Sequence, residues 1–145
     1  MKLVETIQLK KTKELSLLCH RCKNLYNMGL FYIKHFGKFM RDATHLENLP
    51  RDVQNYMKKA FKRKVEQWKE RYKEWRGGKR KRSPSLPSSY LNGYDAQWLL
   101  KDIKEYKCLP SQVSQNVLKN LHKSWKGFFI SLKDWKKNPE KYEKR

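Results

Sequence analysis

The sequence predicts a mainly α-helical protein, and its periodicity, helix-boundary residues and length all support this fold class. Apolar residues recur at threes and fours through most of the chain, most clearly in "LPSQVSQNVLKNLHKSWKGFF" at residues 109–129. Capping or helix-breaking residues mark the ends of these runs: Thr12, Pro50 and Pro110 at starts, and Gly77, Gly78, Asn138 and Pro139 at ends. The 145 residues suffice for one domain with a modest core. We therefore expect a bundle of about four helices arranged as antiparallel pairs.

The N-terminal segment departs from the helical pattern. Residues 3–10, "LVETIQLK", alternate partly between apolar and polar side chains, which is typical of a short β-strand. The rest of the chain offers no second convincing strand to pair with it. We assign residues 1–11 to this strand, residues 12–137 to a helical domain and residues 138–145 to the exit from that domain.

Each expected helix has one apolar side. On the first helix this side comprises Leu15, Leu18, Cys19, Cys22, Leu25, Tyr26, Ile33 and Phe36. On the second, which begins near Pro50, it comprises Val53, Met57, Phe61, Val65, Trp68, Tyr72 and Trp75. A third helix, "NGYDAQWLLKDIKEY", points Trp98, Leu99 and Ile103 inward. The basic, Ser/Pro-rich linker at residues 76–92 precedes it, and its composition predicts an exposed segment that is mobile unless bound.

The charge of the chain predicts a polyanionic partner. Thirty-five Lys and Arg against 14 Asp and Glu give a net charge of +21. These positive side chains repel one another in the compact state. Nucleic acid is the first candidate partner and an acidic membrane surface the second. The mean hydropathy of -1.01 and the absence of a long apolar run argue against membrane insertion. Without a signal-peptide pattern, we expect a prokaryotic, cytoplasmic protein associated with the nucleoid.

The last helix has two different sides. Its expected core side contains Val113, Val117, Leu121, Trp125, Phe128, Leu132 and Trp135. The opposite side carries Ser111, Gln115, Lys119, Lys123, Lys126 and Lys137. Any surface helix has a polar side, so a merely solvated face is the alternative. The mixture favours nucleic-acid contact, because glutamine can bond a base edge, lysine contacts phosphate and serine can do either.

Other residues that often carry chemistry have simpler interpretations here. Cys19 and Cys22 form a C-x-x-C, but no second ligand pair has zinc-site spacing, so we expect core packing. The acidic residues suit capping and surface pairing: Asp42, Asp52, Asp95, Asp102 and Asp134. The five tryptophans are expected in the core rather than as base-stacking platforms. No catalytic constellation is evident, so this chain is not expected to be an enzyme.

Three segments resemble a known family: "LCHRCKNLYNMGLFYI", "YDAQWLLK" and "LPSQVSQNVLKNLHKSWKGFFISLKDWKKNPEKY". They are similar, in the same order and over nearly the whole chain, to the N-terminal part of TnpB (OrfB-type) insertion-sequence transposon proteins. These proteins are RNA-guided DNA endonucleases related to the type V CRISPR effectors. The resemblance implies that the first strand belongs to an incomplete wedge β-barrel and that the helices form the recognition bundle inserted into it.

The same resemblance implies a partner and a division of labour. Family members use this region to hold guide RNA and target DNA and to read a short motif beside the target. The RuvC-like nuclease and the zinc module follow later in the family, so Mg and Zn would belong to those domains and this chain would need no cofactor. Residues 138–145 would begin the return to the barrel, and the remainder of the nuclease chain would be a further partner.

Particular residues follow from the resemblance and from charge. The resemblance implies that Gln115, with Ser111, Asn116 and Lys119, faces the bound duplex, and that Tyr90 lies near it. Tyr94 stands where some relatives carry a small hydroxyl residue, so the motif read here could differ. Charge adds Lys123 and Lys126 on the same helix, and the linker run Lys79, Arg80, Lys81 and Arg82. For that run, a solvated loop and a nuclear-localisation patch are the alternatives.

Two other functions remain open on the sequence. One is a stand-alone basic helical DNA-binding protein derived from a decayed transposase, which would bind duplex DNA specifically without RNA. The other is a protein-interaction or anionic-membrane helical bundle, which would bind vesicles as well as nucleic acid at equal salt.

Overall fold

Residues 12–142 are described by the computed structural model, and this part of the chain is mainly helical, as predicted. It contains five α-helices: α1 (Lys13–Phe39), α2 (Arg51–Arg76), α3 (Gly93–Leu100), α4 (Lys104–Lys107) and α5 (Ser111–Lys137). Short 3-10 turns lie at Ala43–Asn48 and Pro139–Lys141. The strand expected at residues 1–11, like residues 143–145, lies outside the described residues. No helix in the described range is long and apolar enough to cross a membrane.

The predicted boundaries of the long helices are confirmed. The hydroxyl of Thr12 caps α1 by accepting a hydrogen bond from the backbone N–H of Leu15 at 3.1 Å. Gly77 ends α2, and Gly78 follows with a φ of 75°, a left-handed conformation that glycine adopts without strain. Asn138 ends α5. Local chemistry therefore determines where these helices start and stop.

The expected third helix is divided in two. The backbone leaves the helix after α3, and the N–H of Ile103 donates to the carbonyl of Leu100 at 3.1 Å. Ile103 is extended and only 8% exposed, so the break carries its side chain into the core. The prediction of a single helix over "NGYDAQWLLKDIKEY" was wrong. Burying the Ile103 side chain contributes more free energy than continuing the helix for a few residues.

Helices α1 and α5 pack against each other and run in the same direction, a contact that the prediction of antiparallel pairs did not include. Arg21 of α1 donates to the carbonyl of Cys108, just before α5, at 3.3 Å. Farther along α1, a Cβ on Gly29 would lie 2.6 Å from a methyl of Leu121 and 2.9 Å from one of Leu118. The two helices approach this closely only because residue 29 has no side chain.

The core sits where α1, α2, α3 and α5 meet. Its most deeply buried side chains include Leu25, Phe36, Met57, Leu91, Leu99, Leu100, Leu118 and Leu121. On α5, however, the predicted core side is wrong at two positions, since Phe128 is 54% and Trp135 is 47% exposed. Ser114 is instead fully buried, and Val113 and Val117 are half-buried beside it. Periodicity identified the apolar side of α5, but packing leaves Phe128 in an open cleft beside α1 and Trp135 at the surface.

The end of the linker is held against α2. Lys64, a buried residue of α2, donates to the backbone carbonyl of Tyr90 at 2.8 Å and pairs with Asp95 at 2.8 Å. Asp95 also completes the cap of α3, because Asn92 and Asp95 exchange side-chain to backbone hydrogen bonds. The capping role predicted for Asp95 is confirmed. This contact fixes the start of α3 relative to α2.

Candidate nucleic-acid interface

A small cleft between α3 and α5 brings together three of the residues singled out in the sequence. Tyr94, Lys119 and Lys123 line it, and its volume is about 170 Å³. The other lining residues are Gly93, Gln97 and His122. A Cβ on Gly93 would lie 3.3 Å from the Cβ of His122. The glycine at the start of α3 therefore lets α3 approach α5 closely beside the cleft. We call the cleft lined by these six residues the α3–α5 cleft.

The side chains at the mouth of this cleft are free to contact a partner. Tyr94 is 76% exposed, so most of its side chain faces the solvent. Lys119 and Lys123 are exposed one helical turn apart on α5. An aromatic ring and two ammonium groups therefore face the solvent together, from two different helices.

The polar line along α5 begins beside the core. Ser111, Gln115 and Lys119 follow one another at intervals of four residues on a continuous helix, as predicted. Ser111 and Lys119 are exposed, as is Asn116, but Gln115 is half-buried. The neighbouring Ser114 explains this, because its buried hydroxyl donates to the carbonyl of Tyr106 at 2.8 Å. That hydrogen bond sets the rotation of α5 and leaves Gln115 at the border between core and solvent.

Tyr90 positions His122 rather than projecting freely. The phenol oxygen of Tyr90 and Nδ1 of His122 share a hydrogen bond of 2.8 Å, and the two rings stack at 5.7 Å. Burial raises the pKa of Tyr90, so the phenol stays protonated. Sequence reasoning missed His122, because it lies 32 residues from Tyr90 and nothing in the local pattern links the two.

The basic run of the linker lies elsewhere, at the C-terminal end of α2. Lys79, Arg80, Lys81 and Arg82 are all exposed, and none of them lines the α3–α5 cleft. Arg80 comes within 4.0 Å of Glu74, a contact between exposed groups worth only about 0–1 kcal/mol. Lys126 is likewise exposed, beyond the cleft on α5. The predicted site residues therefore occupy more than one surface.

A second surface follows the line where α1 and α5 pack. One open cleft of about 370 Å³ is lined by Tyr26, Leu30, Lys34, Ser124, Trp125 and Phe128. A second, of about 440 Å³, shares Lys34 and Trp125 and adds Ile33, Gly37, Lys38, Arg41, Ser89, Tyr90 and Phe129. We call the two together the α1–α5 groove. Sequence reasoning missed it, because it assigned Trp125 and Phe128 to the core.

The three cysteines do not behave alike. Cys19 is exposed, so its expected place in the core was wrong, whereas Cys22 and Cys108 are half-buried. Burial, together with the nearby Cys19 and Cys108 thiols, raises the pKa of Cys22. Between residues 12 and 142, no group of three or more His, Cys, Asp and Glu side chains is arranged to hold a metal ion.

The α3–α5 cleft offers binding groups: an aromatic face, amide and imidazole groups, and two cations. Comparison of the chain with protein-family models, curated proteins and solved structures gave no match. The arrangement of these side chains is therefore the structural basis for a functional proposal.

Proposed function

We propose that this chain binds nucleic acid through the face formed by α3 and α5, as the recognition part of a TnpB-like RNA-guided DNA nuclease. Its partners are guide RNA, target DNA and the remainder of the nuclease, in a prokaryotic cytoplasm where DNA is accessible. The chain is non-catalytic by itself, and Mg and Zn belong to other domains of the parent nuclease. The observation that best supports the proposal is the convergence of Tyr94, Lys119 and Lys123 around one cleft.

The arrangement suits a site in which some side chains contact the phosphate backbone and others contact the bases. Lys119 and Lys123 are exposed ammonium groups that can contact successive phosphates without reading sequence. Gln115, one turn before Lys119, has the side-chain amide that pairs bidentately with adenine in a major groove. Ser111 and Asn116 extend the same polar surface toward the start of α5. In this proposal the lysines hold the duplex and Gln115 reads it.

Long-range electrostatics support the same partner. The net charge of +21 attracts any polyanion before contact is made. Each phosphate that is neutralised releases counterions, so the affinity should fall steeply as salt rises. Affinity that stays unchanged between low and moderate salt would contradict nucleic-acid binding.

Paired variants of equal charge test the site. The double variant Lys119→Ala/Lys123→Ala and the control Lys58→Ala/Lys62→Ala each remove two exposed lysines spaced one turn apart. Binding to duplex DNA and to an RNA–DNA hybrid is measured by fluorescence anisotropy over a salt series. The first variant should lose affinity and lower the salt slope by about 2, since each phosphate contact contributes about 0.9. Equal losses in both variants would show that charge alone matters and would overturn the assigned face.

Guide RNA dependence separates two versions of the function. The recognition part of an RNA-guided nuclease should prefer RNA or a hybrid over duplex DNA alone. Tight, sequence-specific binding to duplex DNA without RNA would instead favour a stand-alone DNA-binding protein.

A further inference from the structure

We propose that the α1–α5 groove is a binding site for a single-stranded nucleic acid, with bases stacked on the aromatic floor and phosphates held by the basic rim. This inference rests on the proposed nucleic-acid function but concerns a surface other than the α3–α5 cleft. The occupant is a short stretch of unpaired RNA or DNA.

The floor of the groove is a connected set of aromatic rings. Trp125 stacks on Phe129 with ring centroids 5.4 Å apart, and Phe128 meets Trp125 edge-on at 5.7 Å. Tyr90 continues the set, edge-on to Phe129 at 5.9 Å. Phe128 and Phe129 are nonetheless 54% and 46% exposed. Their contacts with each other fix the rings while leaving ring surface open, as a base-stacking platform requires.

The rim supplies the charge that a nucleic-acid backbone needs. Lys34 and Lys38 lie one turn apart on α1, and Arg41 follows the end of that helix. All three are exposed, and none has an acidic partner within 4 Å among residues 12–142. Among residues 12–142, no acidic side chain lines either half of the groove. A row of unpaired cations beside exposed rings complements a chain of phosphates that carries flat bases.

The size of the groove fits bases rather than a folded ligand. Its two halves, of about 370 and 440 Å³, lie on either side of Trp125. Each is near the lower limit of sites for small organic molecules. Both are open to solvent, so a strand can enter and leave along α1. A duplex would hide its bases from these rings, whereas an unpaired strand can place one base in each half of the groove.

An acidic membrane surface fits this region less well. A helix that lies on a membrane presents its apolar residues on a single face. Phe128, Phe129 and Ile130 are consecutive and therefore point in three directions around α5. The floor is also concave, between two helices, and its exposed side chains are aromatic rather than aliphatic. These features favour stacking with bases over insertion among lipid chains.

The first test removes the rings while keeping the groove apolar. Phe128→Leu/Phe129→Leu is compared with Tyr72→Leu, which removes an exposed ring from α2. Binding is measured with a labelled single-stranded 12-mer of dT and of rU, with duplex DNA as reference. The double variant should lose at least about tenfold in affinity for the single strands, because each stacked base contributes about 1–3 kcal/mol. Its affinity for the duplex and the behaviour of Tyr72→Leu should stay unchanged.

The second test removes the rim charges. Lys34→Gln/Lys38→Gln/Arg41→Gln should lower the salt slope for single strands by about 2, since each contact contributes about 0.7. The control Lys58→Gln/Lys62→Gln/Lys69→Gln removes the same charge from exposed positions on α2. Equal slopes for the two triple variants would overturn the assignment of the rim.

The outcomes separate this inference from the proposed function. Duplex binding without single-strand binding would overturn the groove assignment and leave the α3–α5 proposal standing. If the unmodified protein binds neither duplex nor single-stranded nucleic acid, the proposed function itself is wrong. If the protein binds phosphatidylserine-containing vesicles more tightly than single strands at equal salt, and Phe128→Leu/Phe129→Leu abolishes that binding, the groove is a lipid site and the inference is wrong.

Discussion

The ammonium group of Lys64 lies 2.8 Å from a carboxylate oxygen of Asp95, and both side chains are more than nine-tenths buried. Through this pair α2, the end of the linker and the first turn of α3 are held together, since Lys64 also bonds the carbonyl of Tyr90. Tyr94, which lines the α3–α5 cleft, directly precedes Asp95 in that first turn. The geometry of the cleft therefore depends on a buried ion pair that does not line it.

Breaking this pair should destabilise the protein strongly. Asp95→Asn leaves the buried Lys64 ammonium without a carboxylate, which costs about 3–5 kcal/mol. Lys64→Met should cost less, because Arg63 remains 3.9 Å from the Asp95 carboxylate. Urea unfolding followed by circular dichroism measures each single variant and the double variant. The double variant should be more stable than the sum of the two losses predicts, because it removes both charges. Strictly additive losses would contradict the coupling.

The close approach of α1 and α5 predicts opposite effects at two glycines. Gly29→Ala should destabilise by about 1–3 kcal/mol, because the new methyl group meets Leu118 and Leu121 inside a packed core. Gly127→Ala, in the exposed part of α5 where no atom lies within 4 Å of the added carbon, should stabilise by about 1 kcal/mol. Thermal unfolding compares the two. A neutral Gly29→Ala would contradict the packing described.

The His35–His45 contact predicts acid sensitivity near neutral pH. Their ring nitrogens share a hydrogen bond of 2.8 Å, and burial, then His45, Lys38 and Lys34, lower the pKa of His35 from 6.5. Below about pH 6.5 the unfolded chain binds this proton more readily than the folded protein does, so the free energy of unfolding should fall as pH falls. Urea unfolding at about pH 7.5 and about pH 5.5 measures this, and His35→Gln should make the difference smaller.

The end of α5 is organised around one carboxylate. Asp134 accepts hydrogen bonds from the Tyr142 hydroxyl at 2.7 Å, the Lys141 ammonium at 2.9 Å and the Asn138 amide at 3.0 Å. These donors hold the pKa of Asp134 well below its usual range. Asp134→Ala should speed amide hydrogen exchange at residues 137–142 and leave exchange at Leu25 and Leu99 unchanged. Because the carboxylate is exposed, the midpoint of global unfolding should move little.

The sequence predicted the parts of the fold that local chemistry decides. The Thr12 cap, the Gly77-Gly78 stop and the Asn92–Asp95 region of α3 each depend on residues within four positions of one another. The helical register that aligns Ser111, Gln115 and Lys119 is equally local. These predictions succeeded because capping and period act over one or two turns.

The failures concern partners that are distant along the chain. Phe128 and Trp135 have the spacing of core residues, but whether they are covered depends on the packing of distant helices. Phe128 lies beside Leu30 and Lys34 of α1, yet in an open groove. His122 lines the candidate site because α3 packs against α5 at Gly93, and Tyr90 bonds it from the linker. The sequence analysis did not single out Lys34 and Lys38, since nothing near them in the sequence reveals the aromatic rings across the groove. Exposure and pairing are properties of the assembled bundle.

The parallel packing of α1 against α5 has a consequence for how the molecule forms. Gly29 packs against Leu118 and Leu121, which are separated from it in sequence by most of the length of the chain. During synthesis α1 emerges first, and its inner face must wait for α5 before it can be covered. Contacts so far apart in sequence also slow folding relative to a bundle of successive hairpins. The nascent protein thus passes through a stage in which the face of α1 that packs against α5 is exposed to solvent.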